Sequence, residues 1–321
     1  MSSPPALPPT PAGEAALRRA LDYIATADAA GTRRVYASDW RHFNAWCLAA
    51  GFCPLPAGPA VIAAYLAAGA RLYALSTLRR RLAAIARVHR EARLVLDGRD
   101  PAIRNALRGI ARAHALPPRQ AAALTTPEIR KLIRSCDSSL AGLRDRALLL
   151  IGYAGALRRS ELIGVDREHI TFHAAAIELL IPHSKGDPDG EGQRISIGRG
   201  RMPETCPVRA LEAWLRISAT EFGPVFRRVT RHGTVEHTRL SAEAVRLILL
   251  KRAGMAGITG TELAPITPHG LRAGFVTQAY RAGARDDEIM QHTRHKHLAT
   301  MRRYLRRAEL AEGAATARLG L

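Results

Sequence analysis

Lysine is almost missing from this chain: Lys131, Lys185, Lys251 and Lys296 are the only four among 48 basic residues, the rest being arginine. Cysteine is scarce too. Cys47, Cys53, Cys136 and Cys206 form no C-x-x-C pair, which excludes a zinc finger or a disulfide framework and makes a reducing cytoplasm the expected compartment. No apolar run approaches the ~20 residues needed to cross a bilayer, so no membrane partner is expected. The proline-rich start, Met1 to Pro11, lacks a basic n-region and an apolar h-region and reads as a disordered tail, not a signal peptide. Acids are also in short supply. Only 28 face the 48 bases, a formal charge of +20 on 321 residues, and aromatics make up 5%. So large a positive excess, spread along the whole chain, implies a polyanionic partner, with nucleic acid the first choice.

The length and the 47% hydrophobic content suit two globular domains. From Gly13 to His114 the apolar spacing is helical. Thr32 is expected to cap a helix carrying Val35, Tyr36, Trp40, Phe43 and Trp46. A second helix is read from Pro59 to Gly69, a third from Ser76 or Thr77, and a fourth after Pro101. On the third, Leu78, Leu82 and Ile85 share a face, while Arg80, Arg87 and Arg90 lie away from it. Sixteen arginines against seven acids between Ala12 and Leu116 give this bundle a basic side. Paired prolines, Pro117 and Pro118, then mark a linker. Thr126-Pro127-Glu128, with Thr126 expected as the cap and Pro127 at the first helical position, opens a second, mostly helical segment. Its one convincing sheet is a hairpin, Ala176–Pro182 with Arg194–Ile197. Further helices are read after Pro207, after Ser241 and after Pro268, with a final pair around Tyr304 and beyond Leu310.

Four segments carry the candidate chemistry. In Thr267-Pro268-His269-Gly270-Leu271-Arg272, the H-x-x-R spacing puts His269 and Arg272 on one face near a helix N-terminus, where backbone N–H groups favour an anion. In Gly155-Ala156-Leu157-Arg158, a basic residue directly follows an apolar run, with Glu161 three residues on. Lys185 sits at the hairpin turn; lysine, unlike arginine, can release a proton when its surroundings lower its pKa. Tyr304 follows His295 by nine residues on a short helix. Each segment alone also has an ordinary reading: a surface pair, a salt-bridged cap, a solvated turn lysine, a packed tyrosine.

Together the four resemble the tyrosine site-specific recombinases, the phage-integrase and Cre-like family. The resemblance covers most of the chain and is densest from Arg158 onward. Arg158, Lys185, His269, Arg272, His295 and Tyr304 match the family's catalytic set in type, order and approximate spacing, and Glu161 matches an acid often found one turn after the first arginine. The stretch from Arg281 to Gln291 looks like Cre-type and integrase-type members. Two departures stand out: Arg294 occupies a position where the family often has glycine, and Ala-Gly-Ala-Leu-Arg replaces the common Thr-Gly-Leu-Arg.

The resemblance implies a mainly α fold in two domains. These are a helical SAM-like core-binding domain over residues 13–115 and a mostly helical catalytic domain with a small antiparallel β-sheet over 126–321, joined by a linker at 116–125 and preceded by a disordered tail at 1–12. It implies strand cleavage and religation through a 3′-phosphotyrosine on Tyr304, without metal, ATP or other cofactor. Arg79, Arg80, Arg87 and Arg90 are the expected DNA contacts of the first domain. The partner is double-stranded DNA bearing an inverted-repeat site, with a monomer free in solution assembling into a homotetramer on DNA in a bacterial, nucleoid-associated setting. Competing readings are a type IB topoisomerase, which shares the chemistry without site specificity, and a non-catalytic DNA-binding regulator or decayed integrase. His292, His295 and His297 cluster, but no acid or cysteine completes a metal site nearby.

Overall fold

The computed structural model describes residues 10–114, 119–182 and 192–304. The chain divides into two compact units, Met1–Pro117 and Pro118–Leu321.

The first unit is helical: α1 (Pro11–Thr26), α2 (Ala30–Ala49), α3 (Pro59–Ala68), α4 (Leu75–Glu91) and α5 (Pro101–His114). Its core gathers Phe43, Ile62, Tyr65, Leu66, Leu78, Ile85 and Ile103, one apolar stripe from each of α2 to α5. Thr32 does not cap α2. The chain turns after Asp28 and becomes helical at Ala30, with Ala29 in the cap position and Thr32 already inside the first turn. His89 is fully buried, where its Nδ1–H donates to the Ile85 carbonyl and its Nε2 accepts from the Ala57 N–H (both 2.9 Å). Of the four arginines expected to touch DNA, Arg79 and Arg90 are exposed, and among the described residues no acid pairs with either. Arg80 forks onto the buried Asp39 (2.8 and 3.0 Å), and Arg87 bonds Asp28 and Glu91. Arg81 is buried between Asp39 and the face of Tyr73, 3.8 Å from the ring centre.

The second unit builds its helices around α7 (Leu140–Ala154), which is buried along most of its length. Before it comes α6 (Thr126–Arg134), and after it come α8 (Arg159–Gly164) and the strands β1 (Ile170–Phe172), β2 (Ala176–Ile181) and β3 (Gln193–Gly198). The three strands form one antiparallel sheet in sequence order, pairing Ile177 with Ile197 and Leu179 with Ile195 on the buried face. Then follow α9 (Pro207–Ile217), the small hairpin β4 (Arg227–Val229) and β5 (Val235–Arg239), α10 (Ala242–Met255), α11 (His269–Arg281) and α12 (Asp286–Thr293). The β4–β5 pair carries no alternating apolar pattern, so the sequence reads only the larger sheet. The cap of α6 is Thr125, one residue earlier than expected, because only from there does Glu128 stand at the third helical position and close the capping box.

Part of the expected linker at 116–125 is among the described residues and packs on the second unit. From Gln120 to Leu124 the chain runs along residues 263–270, donating from Gln120, Ala122 and Leu124 to the carbonyls of Leu263, Pro265 and Gly270 (each 3.0 Å). That strap lies directly on α11. A Cβ on Gly274 would stand 1.8 Å from the Leu124 carbonyl oxygen, and one on Gly270 would stand 2.3 Å from that of Ala122. Only glycine allows this approach, and it fixes the start of α11, which carries the H-x-x-R pair. Residues 298–304 form a further helical turn. Buried Met301 seats it on Val276 of α11 and Ile289 of α12, with Tyr304 packed alongside.

Candidate active site

Three local structures deliver the site. The turn after α7 takes Ala156 through a positive φ (45°) and places Arg158 as the cap residue of α8. Its backbone N–H donates to Glu161 Oε2 (2.8 Å) and its guanidinium to Glu161 Oε1 (2.5 Å). The first turn of α11 puts His269 on the solvent rim and Arg272 beneath it, only 1% exposed. The end of α12 turns through Arg294 in the left-handed region (φ 60°, ψ 42°) and presents His295.

Arg272 ties these pieces together. Its NH1 donates to the Ala156 carbonyl (2.6 Å), and its NH2 reaches the Thr293 carbonyl and His295 Nε2, the latter at 3.4 Å. Among the described residues the contacts given do not use all five of its N–H donors, so the guanidinium can also meet an anion. Burial, then Arg158 and Arg294, lower its pKa to about 10, so it stays charged at neutral pH. Tyr304 Oη lies 2.7 Å from His269 Nε2. Burial raises the phenol above its ordinary value against the pull of Arg272, Arg303 and Arg158. Desolvation, with Arg272 and Arg158, lowers His269. The pair therefore rests as phenol and neutral imidazole, the state from which a base can accept the phenolic proton.

Sequence reading missed two contributors. Thr293, fully buried, donates its hydroxyl to the Ile289 carbonyl (2.6 Å), so its oxygen accepts from His295 Nδ1–H (2.6 Å) and turns the Nε2 lone pair toward Arg272. Arg294 was visible only as a departure from a family pattern. In the structure it donates to Glu161 Oε2 (2.8 Å) across 133 residues of sequence, with both side chains buried. Burial alone would raise Glu161, but Arg294 and the N–H and guanidinium of Arg158 outweigh it and hold the carboxyl below its usual range. His292 does not join His295: its ring stacks on Phe275 (4.6 Å) and its Nε2 bonds the Ala154 carbonyl (2.7 Å). Lys185 lies outside the described residues, as does the helix expected beyond Leu310. The described base of its hairpin does adjoin the site: Gln193 and Arg194 of β3 line a cavity of about 360 Å³ together with Arg294, His295 and Lys296.

His295 is pushed down to about 3, first by burial and then by Arg272 and Arg158. A histidine held neutral in the native state takes its proton only on unfolding. Its stabilising share is full above the unfolded value near 6.5 and is lost as pH falls from there toward 3. The melting temperature of the DNA-free protein is expected to drop between pH 7 and pH 4.5, and His295→Gln should remove part of that drop. Identical pH dependence in the two proteins would contradict the assignment.

The phage integrase family model matches residues 122–310. An integrase/recombinase XerD homologue of Selenomonas ruminantium is 35% identical over 90% of this chain and 85% of its own length. The tyrosine recombinase XerC of Syntrophus aciditrophicus is 32% identical over 51% of this chain and 49% of its own. Among solved structures, the Tn1549 transposon integrase in complex with transposon right-end DNA aligns over 92% of this chain and 98% of its own, with TM-score 0.61 and 13% identity. A lambda integrase dimer bound to a core site aligns over 91% and 76%, with TM-score 0.59 and 17% identity. At such identities the structural likeness establishes the fold. The sequence matches place the chain among the DNA-breaking and rejoining enzymes that work through a tyrosine. It belongs to the phage integrase family, the tyrosine site-specific recombinases.

Proposed function

We propose that Tyr304 is the nucleophile of a strand-cleavage reaction whose product is a 3′-phosphotyrosine and a free 5′-hydroxyl. The observation that carries this reading is the 2.7 Å contact between Tyr304 Oη and His269 Nε2, one helical turn from the clamped guanidinium of Arg272. Nucleophile, base and anion donors share one patch. His269 assists removal of the phenolic proton as the oxygen attacks phosphorus. Arg158 and Arg272 bond the non-bridging oxygens and stabilise the charge that develops there. His295, taking a solvent proton on Nε2 as the bound phosphate raises its pKa, bonds a phosphate oxygen and positions it. Lys185 protonates the departing 5′-oxygen, and Glu161 positions Arg158. The phosphotyrosine conserves the energy of the broken bond, so a hydroxyl from another strand reverses the step without ATP, metal or other cofactor.

The partner we infer is double-stranded DNA carrying an inverted-repeat recombination site. Exchange between two duplexes needs four tyrosines, hence a homotetramer assembled on DNA from monomers. Residues 13–115 act as the core-type DNA-binding domain, 126–321 as the catalytic domain. Arg79, Arg80, Arg87 and Arg90 contribute to the basic side of the first. Arg79 and Arg90 are the freer two, since Arg80 and Arg87 are already bonded to acids.

The test is covalent capture in cells: protein is denatured, DNA that stays attached is sequenced, and the native chain is compared with Tyr304→Phe. Adducts that require Tyr304 and gather at a few paired inverted repeats are expected. Tyrosine-dependent adducts scattered without sequence preference favour a relaxing enzyme of topoisomerase type. No adduct from either protein, with DNA binding intact, leaves a non-catalytic DNA-binding factor.

A further inference from the structure

Arg294 stands where a left-handed backbone favours glycine, and its side chain is spent neither on solvent nor on the protein surface. Its side chain is 4% exposed, its NH2 bonds Glu161 Oε2 (2.8 Å) and its NH1 bonds the His292 carbonyl (3.1 Å). Its Nε is buried with no hydrogen-bond partner among the described residues. A helix end needs none of this, because glycine would cap α12 at lower conformational cost. Glu161, in turn, is divided: one oxygen holds the Arg158 guanidinium, and the other is shared by Arg294 and the Arg158 N–H.

We propose that Arg294 is a positioning residue of the cleavage reaction, one that anchors Glu161 so that Arg158 is held toward the scissile phosphate and that supplies a buried positive charge behind His295. This rests on the reading of the site as a tyrosine recombinase centre. The charge balance explains why a third arginine is useful there. Arg158, Arg272 and Arg294 against Glu161 leave two net positive charges, and without Arg294 only one remains. A phosphodiester carries one negative charge before attack and about two as the nucleophile bonds to phosphorus. The arrangement with Arg294 matches the reacting state, and the arrangement without it matches the resting state. A favourable interaction of that kind accelerates the step without tightening DNA binding.

Single-turnover cleavage of the captured site by the full-length protein tests this. Arg294→Gly, which suits the backbone, is expected to cleave about tenfold to a hundredfold more slowly, with DNA affinity within about threefold of native. Arg294→Lys keeps the charge and is expected to recover most of the rate. The decisive readout is a site whose scissile phosphate is replaced by a neutral methylphosphonate. There the charge demand falls, and the Arg294→Gly deficit should shrink to within about threefold. A deficit of equal size on both linkages, or an Arg294→Gly protein as fast as native on phosphate, overturns the proposal. Were Arg294→Gly to fold poorly, Arg294→Gln compared with Arg294→Lys on the two linkages would decide: equal rates for these two on phosphate overturn the proposal equally. A native chain that forms no Tyr304 adduct would defeat the underlying recombinase reading instead, and the two failures are distinguishable.

Discussion

Arg272→Ala is expected to slow strand cleavage by about 10²–10³-fold, the loss seen when one preorganised donor to a developing oxyanion is removed. The side chain is 1% exposed and has its NH1 and NH2 fixed on two backbone carbonyls from different parts of the fold, Ala156 and Thr293. That fixing means the guanidinium need not reorganise when the phosphate gains charge. Its pKa of about 10 keeps it cationic across the working range, so the effect should not vary with pH between 6 and 9. Arg272→Lys should recover little, because an ammonium cannot span Ala156, Thr293 and a phosphate in one plane. Single-turnover rates measured beside DNA affinity separate the outcomes. A loss confined to affinity, with the cleavage rate unchanged, would mean that Arg272 only helps to bind DNA.

The second large effect is on stability. Asp145 is buried on α7 and accepts from two arginines: Arg252 Nε at 2.8 Å and Arg144 NH2 at 2.7 Å. Arg252 is itself 1% exposed and continues to the Ser135 carbonyl (2.6 Å), so the network ties α7 and α10 to the residue that caps the end of α6. Asp145→Ala takes the buried carboxylate from Arg144 and Arg252, leaving Arg252 only the exposed Asp137 at 3.5 Å, and is expected to cost about 3–5 kcal/mol. For a unit near this size that corresponds to a fall of roughly 10 °C in the melting temperature. The exposed pair Glu243–Arg246 provides the contrast, since Arg246→Ala should barely move the transition. Equal small shifts for both would show that the buried network is not what holds the three helices together.

Both predictions concern residues whose roles differ in how visible they are from sequence. Arg158, His269, Arg272, His295 and Tyr304 are legible as candidates because phosphoryl transfer calls for those side-chain types, and their order and spacing resemble the family's pattern. H-x-x-R places its two members on one helix face whatever surrounds them. Asp145 and Arg252 carry no such mark: they meet across 107 residues, and nothing local distinguishes either from a surface charge. The same holds for Arg294 and Glu161, which lie 133 residues apart, so sequence reading finds an unusual residue after Thr293 but not its partner. Thr293 escapes notice because its value lies in one buried hydroxyl shared between Ile289 and His295.

The fold follows a similar division. The helices of the first unit show their apolar stripes plainly, and the larger hairpin shows β-branched alternation. Thr32 misleads because a good capping side chain in a short interhelical turn does not decide where the helix begins. The strap from Gln120 to Leu124 reads as linker because three backbone-to-backbone bonds dock it, and the signal for them is two glycines 146 or more residues downstream, Gly270 and Gly274. The basic side of the first unit is legible as a charge excess. Which arginines are free is not, since Arg80 and Arg87 take acids 41 and 59 residues away.

The central claim is that Tyr304 oxygen becomes bonded to a DNA 3′-phosphate. The most direct measurement is mass spectrometry of peptides from the trapped protein–DNA adduct after nuclease and protease digestion, with end-labelling of the released strand. A nucleotide mass on the peptide containing Tyr304, together with a 5′-hydroxyl that a kinase can label without phosphatase treatment, is the result this account requires. A nucleotide on another residue, or a strand released with a 5′-phosphate, would contradict it.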